Sequence, residues 1–302
     1  MTTQLYGGLE GGGTKFVCAV GRGPQEIVAE IQFPTTTPQE TLARASEFFR
    51  QYEVVALGLA SFGPLDLNPA SPAFGAITAT PKAGWAGTNL LEYFRRAFGL
   101  PVVLETDVNA AAFGEYRWVD ENRGLDALVY FTIGTGIGAG IIVNGKIVHG
   151  LTHPEAGHFR LPHDWQDDPY PGNCPFHGDC FEGLACGPAI AARWGQPADS
   201  LPDDHPAWEL EARYIASALT AVICLLSPQR IVLGGGVMQR QSLFPRIRRR
   251  VKALLNGYIA SPVLAGDLES YIVPPALGKR SGVLGAIALA QAAFEQSAAC
   301  SA

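Results

Sequence analysis

Two stretches of this chain hold more glycine than a strand or helix can use. Gly8–Val20 reads GLEGGGTKFVCAV, and Tyr130–Lys146 reads YFTIGTGIGAGIIVNGK. Glycine inside a regular element costs about 0.5–1 kcal/mol relative to alanine, so such density needs a purpose. One purpose is phosphate binding, because backbone N–H groups can approach an anion closely when no Cβ intervenes. Phosphate motifs differ in the element that the glycines lead into. A Walker loop needs Gly-Lys-Ser/Thr and then a helix, whereas Gly13-Thr14-Lys15 runs into a strand. Gly134-Thr135-Gly136-Ile137-Gly138-Ala139 has the G-x-G-x-x-A form of a dinucleotide fingerprint, but that motif must open a helix. Here GIIVNGKIV alternates and carries Asn144-Gly145, a hairpin turn. The patterns therefore predict two β-hairpins able to face phosphate, with tight turns and no ligand as the plainer alternative. A third glycine run, Gly234–Gly236, comes after a buried strand at Arg230–Leu233.

The 302 residues are enough for two lobes, and 47% are hydrophobic. A formal net charge of −6 argues against nucleic acid as the main partner. No apolar run is long enough to span a membrane, and MTTQLYGG lacks a basic region followed by an apolar core. A cytoplasmic protein is expected. Of six cysteines, Cys18 and Cys224 are expected in the core and Cys300 in the tail, while Cys174, Cys180 and Cys186 cluster near histidines. In a reducing compartment such a cluster points to metal before disulfide.

Periodicity predicts strands at Phe16–Val20, Ile27–Phe33, Val54–Ala60, Pro101–Glu105, Leu128–Ile133 and Gly140–Val143. It predicts helices at Gln39–Gln51, Asn89–Phe98, Val108–Trp118, Cys180–Trp194, Trp208–Leu226 and Gly282–Gln296. Thr152–Asp179 is irregular. The strand, glycine turn and strand of Leu9–Val20 recur at Tyr130–Val143, an echo expected of a duplicated α/β unit.

CPFHGDC supplies Cys174, His177 and Cys180, three ligands within seven residues. Two thiolates with imidazoles suit tetrahedral zinc. His158, with fifteen residues between it and Cys174, is one candidate for the fourth place; His153 and His163 are others. An empty Cys/His loop is the alternative. Asp107, between a strand and a helix, reads as an N-cap. Glu182 reads as a first-turn acid favoured by the helix dipole.

The segments EGGGTK, ETDVNAAAFGE, GTGIGAGIIVNGK, HPEAGH, CPFHGDCFEGLACGPA and IVLGGGV, in this order, resemble the ROK family of sugar kinases and repressors. HPEAGH and CPFHGDCFEGLACGPA resemble the bacterial ROK fructokinases in particular. The resemblance implies an α/β, two-lobed, actin-like ATPase (ribonuclease H-like) duplicated fold with a central cleft. A smaller lobe over 1–118 would hold the first hairpin and Asp107. A larger lobe over 119–302 would hold the second hairpin, zinc loop and adenosine segment, with the last helix returning to the first lobe. ATP or ADP with Mg²⁺ would meet Glu10, Gly12, Gly13, Thr14, Lys15, Thr132, Gly134, Thr135, Gly136, Gly234, Gly235 and Gly236. Glu10 stands where most of the family has Asp, and Thr106 where it has Asn. Asp107 would be the general base. Gly63, Asp107, Glu155, His158 and Glu182 would bind the sugar, with Ser61–Pro64 and Thr80–Trp85 adding to the smaller lobe. Trp85 could cover a sugar face, though tryptophan is more often core. His158 would complete a structural Zn²⁺ site with Cys174, His177 and Cys180.

The activity implied is ATP-dependent phosphorylation of D-fructose to fructose 6-phosphate by a homodimer. The alternatives are a ROK kinase for mannose, glucose or an N-acetylhexosamine, a sugar-sensing ROK regulator, and a purely structural zinc protein. A regulator would carry a helix-turn-helix ahead of a hairpin that here begins by about residue 8.

Overall fold

The computed structural model describes residues 4–80 and 82–301, without the side chains of the last two of these. Its strands are β1 (Leu5–Gly11), β2 (Lys15–Gly23), β3 (Glu26–Pro34), β4 (Val54–Ser61), β5 (Val102–Thr106), β6 (Ala127–Ile133), β7 (Ile137–Val143), β8 (Lys146–Ile147), β9 (Arg230–Gly234) and β10 (Ile272–Val273). Its helices are α1 (Pro38–Phe49), α2 (Leu90–Phe98), α3 (Asp107–Trp118), α4 (Phe181–Ala185), α5 (Gly187–Trp194), α6 (Ala207–Leu226), α7 (Leu243–Leu255), α8 (Pro262–Ala265) and α9 (Ser281–Ser301).

One sheet has the order β3-β2-β1-β4-β5 and the other β10-β9-β6-β7-β8. The internal echo is a matter of topology. β1 lies between antiparallel β2 and parallel β4. In the same way β6 lies between antiparallel β7 and parallel β9. Each glycine turn therefore joins a central strand to its antiparallel neighbour. The chain forms two compact units in an interleaved way. The first contains Met1–Gly124, Lys146–Pro154 and Ala276–Ala302; the second contains Leu125–Gly145 and Glu155–Pro275.

In the first unit, strand alternation puts Leu9, Leu57 and Leu59 on one face with Phe16, Phe49, Phe94 and Trp85. The opposite face takes α9, where Tyr6, Ala56, Val283, Ile287 and Ala290 pack together. Backbone meets backbone there. A Cβ on Gly58 would lie 1.8 Å from the Ala286 carbonyl oxygen, and one on Gly285 would lie 1.8 Å from that of Ala110. Gly8 belongs to the same packing, with its Cβ position 2.7 Å from the Val283 oxygen. One glycine of the opening stretch is thus required by the helix beneath it.

Four sequence expectations change. The N-cap of α3 is Thr106, whose Oγ1 accepts the Asn109 N–H at 3.1 Å, while Asp107 is the first helical residue. Thr106 keeps the extended conformation of β5 and its side chain takes the cap, so the helix starts one residue earlier than a cap at Asp107 requires. The helix expected over Cys180–Trp194 is two helices, broken at an extended Cys186. The Gly187 N–H there donates to the Gly134 oxygen at 2.7 Å instead of continuing α4. The strand expected at Gly140 already begins at Ile137. Cys224 is exposed, not core, because the buried stripe of α6 ends at Ile223. Cys18 and Trp85 are fully buried, and the Trp85 indole donates to the Thr36 oxygen at 2.9 Å. The segment Thr80–Trp85 is described apart from Pro81, and the Cys300 side chain lies outside the described residues.

Glu115 fixes the approach to α9. Its buried carboxylate accepts from the Ala276 N–H (3.1 Å), the Leu277 N–H (2.9 Å) and the Ser281 hydroxyl (2.9 Å). Burial pushes its pKa up against these donors. Truncating it would leave three donors short of an acceptor, so Glu115→Ala should lose about 2–4 kcal/mol of unfolding free energy. Urea denaturation measures this; a loss below about 0.5 kcal/mol, the range of an ordinary surface change, would contradict the anchoring role.

Candidate active site

The first hairpin is closed by the Gly12 N–H donating to the Lys15 oxygen at 2.9 Å. The buried Thr35 braces it from β3: its hydroxyl donates to the Gly12 oxygen at 2.7 Å and its N–H to the Thr14 oxygen at 2.9 Å. Gly13, Thr14 and Lys15 are exposed at the tip. The glycines differ in what they allow. A Cβ on Gly11 would meet the Phe16 ring at 2.8 Å, whereas one on Gly13 would meet nothing within 4 Å. Packing accounts for Gly11 but not for Gly13. Lys15 Nζ donates to Gln32 Oε1 at 3.0 Å.

Glu10 ends β1 beside the start of α9, where a Cβ on Gly282 would come within 2.4 Å of its carboxyl carbon. Burial pushes its pKa up to about 7, helped by the Asp107 carboxylate and opposed by Lys15 and the Val283 N–H. Two acids therefore meet at the ends of β1 and β5. Asp107 is half-buried at the head of α3, where Oδ1 accepts the Val108 N–H at 2.9 Å and the helix dipole favours a negative charge. Gly63 is held nearby in the same unit: the Phe62 N–H donates to the Gly11 oxygen at 2.8 Å, and the Leu65 N–H donates to His153 Nε2 at 3.2 Å.

The second hairpin turns at Gly134–Gly136, with the Gly134 N–H donating to the Gly136 oxygen at 2.9 Å. Thr132 is half-buried, in register with Gly138 and Gly234, and Thr135 is exposed. The third glycine run lies against this hairpin. A Cβ on Gly235, at φ +91°, would come within 2.3 Å of the Ile133 oxygen; one on Gly234 would come within 2.2 Å of the Tyr130 hydroxyl. A Cβ on Gly236 would meet nothing within 4 Å. Gly234 and Gly235 are thus seats for β6, and only Gly236 has open space around it.

The loop of 155–180 brings four candidate ligands of two types together. One donor atom each from His158, Cys174, His177 and Cys180 lies within 4.8 Å of the others. Nδ1 of His158 is 3.7 Å from Cys174 Sγ and 3.6 Å from Cys180 Sγ, and Nδ1 of His177 is 3.6 Å from Cys174 Sγ. Edges of a tetrahedral zinc site with ordinary Zn–S and Zn–N bonds are ~3.6 Å, so the donor set fits that metal. The rival histidines are engaged elsewhere. His153 accepts from Leu65, and the buried His163 ring bonds Asp179 (3.2 Å) and the Asp168 carbonyl oxygen (2.9 Å). Burial pushes the Cys180 thiol up to about 11, so metal must displace its proton. Cys186 stands apart, buried with Sγ 3.7 Å from Asn173 Oδ1.

Glu155 is exposed, and its carbonyl accepts the His158 N–H at 3.0 Å. Glu182 reaches the hairpin: its Oε2 accepts the Ile137 N–H at 2.8 Å, and Oε1 is 4.0 Å from His158 Nε2. The residue pattern reads Glu182 as a first-turn acid and the resemblance assigns it to sugar; neither gives a role to Glu105, Asn109 or His149. Buried Glu105 accepts from Asn109 Nδ2 at 2.9 Å and pairs with His149 Nε2 at 3.1 Å, which pushes the His149 pKa up. Glu105 lies in β5 and Asn109 in the first turn of α3, so no periodicity signals their contact, and His149 has no signal either.

These features, two glycine hairpins in like sheets, a carboxylate heading a helix and a Cys/His loop, are those of a sugar kinase of the ROK type. The ROK family model matches residues 6–293, and the chain belongs to that family. A Bacillus subtilis (strain 168) relative is 49% identical over 295 residues, covering 98% of both chains. The fructokinase of Pediococcus pentosaceus is 43% identical over 292 residues, covering 97% of this chain and 99% of its own. Among solved structures, a ROK family glucokinase from Streptomyces griseus in complex with glucose and AMPPNP is 26% identical, with a TM-score of 0.72, covering 95% of this chain and 99% of that one. The two mixed sheets with their helices have the α/β actin-like ATPase fold.

The Glu10 environment gives a pH test. Between about 4.5 and about 7 the folded state keeps a proton that the unfolded chain has lost. Stability therefore falls as pH rises through this window and levels above it. Relative to Glu10→Gln, the wild type should lose up to about 3 kcal/mol from pH 4.5 to 7.5. Denaturation at several pH values reads it, and parallel curves for the two proteins would contradict the assignment.

Proposed function

We propose that this chain transfers the γ-phosphoryl group of ATP to the 6-hydroxyl of D-fructose, giving fructose 6-phosphate and ADP. The observation that carries the reading is whole-length similarity to a named fructokinase at 43% identity. The first unit supplies Asp107 and the first phosphate hairpin; the second supplies the second hairpin, the Gly234–Gly236 run and the metal loop.

Asp107 acts as general base. As the sugar O6 attacks the γ-phosphorus, the O6–H proton passes to the Asp107 carboxylate, the bond from phosphorus to the bridging oxygen breaks, and ADP takes that electron pair. Orientation and late proton removal suit a carboxylate, because phosphoryl transfer depends more on positioning and charge than on a strong base. Triphosphate charge is neutralised by magnesium entering with ATP. Backbone N–H groups at Gly12–Thr14 and Gly134–Gly136 receive phosphate oxygens, and Lys15, Thr132 and Gly236 line the nucleotide. Glu10, whose pKa burial pushes up to about 7, would once ionised help to hold that magnesium. Gly63, Glu155, His158 and Glu182 position the sugar.

Zinc, held by His158, Cys174, His177 and Cys180, supplies structure to this loop, since four protein ligands leave no open position for a reacting water. No helix among the described residues is long and apolar enough to cross a membrane. We place the enzyme in the cytoplasm, where ATP is available and thiolates stay reduced, and take it to act as a homodimer.

With ATP, magnesium and D-fructose, the wild type should form ADP and fructose 6-phosphate in equal amounts. Asp107→Asn should lower kcat by at least about a hundredfold, the contribution expected of a positioned base, with fructose affinity nearly unchanged by calorimetry. Near-normal kcat in the folded variant would remove Asp107 from the chemistry. Elemental analysis should find one zinc per chain in the wild type and none in Cys180→Ser; wild type purified without zinc and fully active would contradict the metal assignment.

A further inference from the structure

Glu182 joins two features that the sequence holds apart. Its Oε2 accepts the Ile137 N–H at 2.8 Å, and a Cβ on Gly136 would stand 2.7 Å from that same oxygen. Its Oε1 lies 4.0 Å from His158 Nε2, within ion-pair range, while Nδ1 of that ring faces the sulfurs of Cys174 and Cys180. Its own N–H donates to the Gly157 oxygen at 2.7 Å, and a Cβ on Gly157 would lie 1.9 Å from the Ile137 oxygen. Cys180 is the N-cap of the helix that carries it. Its side chain and N–H thus connect the Cys/His loop on one side with the second hairpin on the other.

We propose that Glu182 is a positioning residue that transmits the state of the metal centre to the second hairpin, so that metal occupancy sets nucleotide affinity even with no sugar bound. This rests on the reading of that hairpin as a nucleotide-phosphate site. The physical chain is short. Metal held by Nδ1 would leave the His158 proton on Nε2, the nitrogen that lies 4.0 Å from Oε1 of Glu182. The same metal fixes Cys180, and with it the first turn of α4. Glu182 then has one oxygen turned to the imidazole and one fixed on the Ile137 N–H, which holds the hairpin tip in a single conformation. Without metal both anchors relax, and the tip must be ordered when phosphate arrives.

The test is calorimetric binding of ADP with magnesium, without sugar, to metal-loaded and chelator-stripped protein. Stripping the wild type should weaken ADP at least tenfold. Loaded Glu182→Ala should show a similar loss, and stripping that variant should change ADP affinity less than twofold further. Loaded Glu182→Gln, whose amide oxygen can accept the Ile137 N–H, should recover most of the affinity, whereas loaded Glu182→Leu, similar in bulk but with no acceptor, should not, a difference that a merely space-filling role does not give. Should Glu182→Ala fail to fold, Glu182→Asp makes the same comparison, because its shorter side chain gives up the Ile137 N–H. Unchanged ADP affinity on stripping, or losses from stripping and substitution that multiply, would overturn the proposal while leaving the kinase reading intact. Loaded wild type that binds no ADP would overturn the hairpin reading and this inference with it.

Discussion

A Cβ on Gly157 would lie 1.9 Å from the carbonyl oxygen of Ile137. That approach seats the metal loop on the second hairpin, and most of the candidate site in this unit is arranged around it. Gly157 is bracketed by Glu155 and His158. The Gly157 carbonyl accepts from Glu182, and Glu182 accepts from the residue that ends the turn. Gly187, just past the break between α4 and α5, donates to Gly134 at the other end of the turn. A side chain at position 157 would push these groups apart. The loop, first-turn acid and glycine turn therefore form one packed object.

The first unit uses the same device for a different end. Gly58, Gly114 and Gly285 let α9 and α3 approach backbone to backbone. That packing puts the start of α9 against Glu10 and brings the head of α3, with Asp107, next to it. Burial and a neighbouring carboxylate make Glu10 a poor anion.

Much of this was legible in the sequence, where short-range rules decide. The two hairpins followed from alternation and Asn144-Gly145, and the closely spaced Cys174, His177 and Cys180 pointed to a Cys/His cluster, which the structure brings together with His158. What the sequence concealed depends on distant partners. Gly8 is set by α9, far along the chain, and Gly234 and Gly235 by β6. The break at Cys186 had a local sign in Gly187-Pro188, but its cause is the hydrogen bond to Gly134. Spacing alone left three histidines as candidates for the metal. The structure separates them because His153 and His163 have other partners. The bond from Glu182 to Ile137 spans 45 residues and leaves no trace in local pattern.

A sugar kinase that prefers fructose is tested most directly by competition between substrates in one vessel. Equimolar D-fructose and D-glucose would be supplied with limiting ATP and magnesium, and the phosphorylated products quantified by NMR. Their initial ratio equals the ratio of kcat/KM. Fructose 6-phosphate should form in at least tenfold excess, about 1.4 kcal/mol of transition-state preference. Glucose 6-phosphate in excess would contradict the preference for fructose.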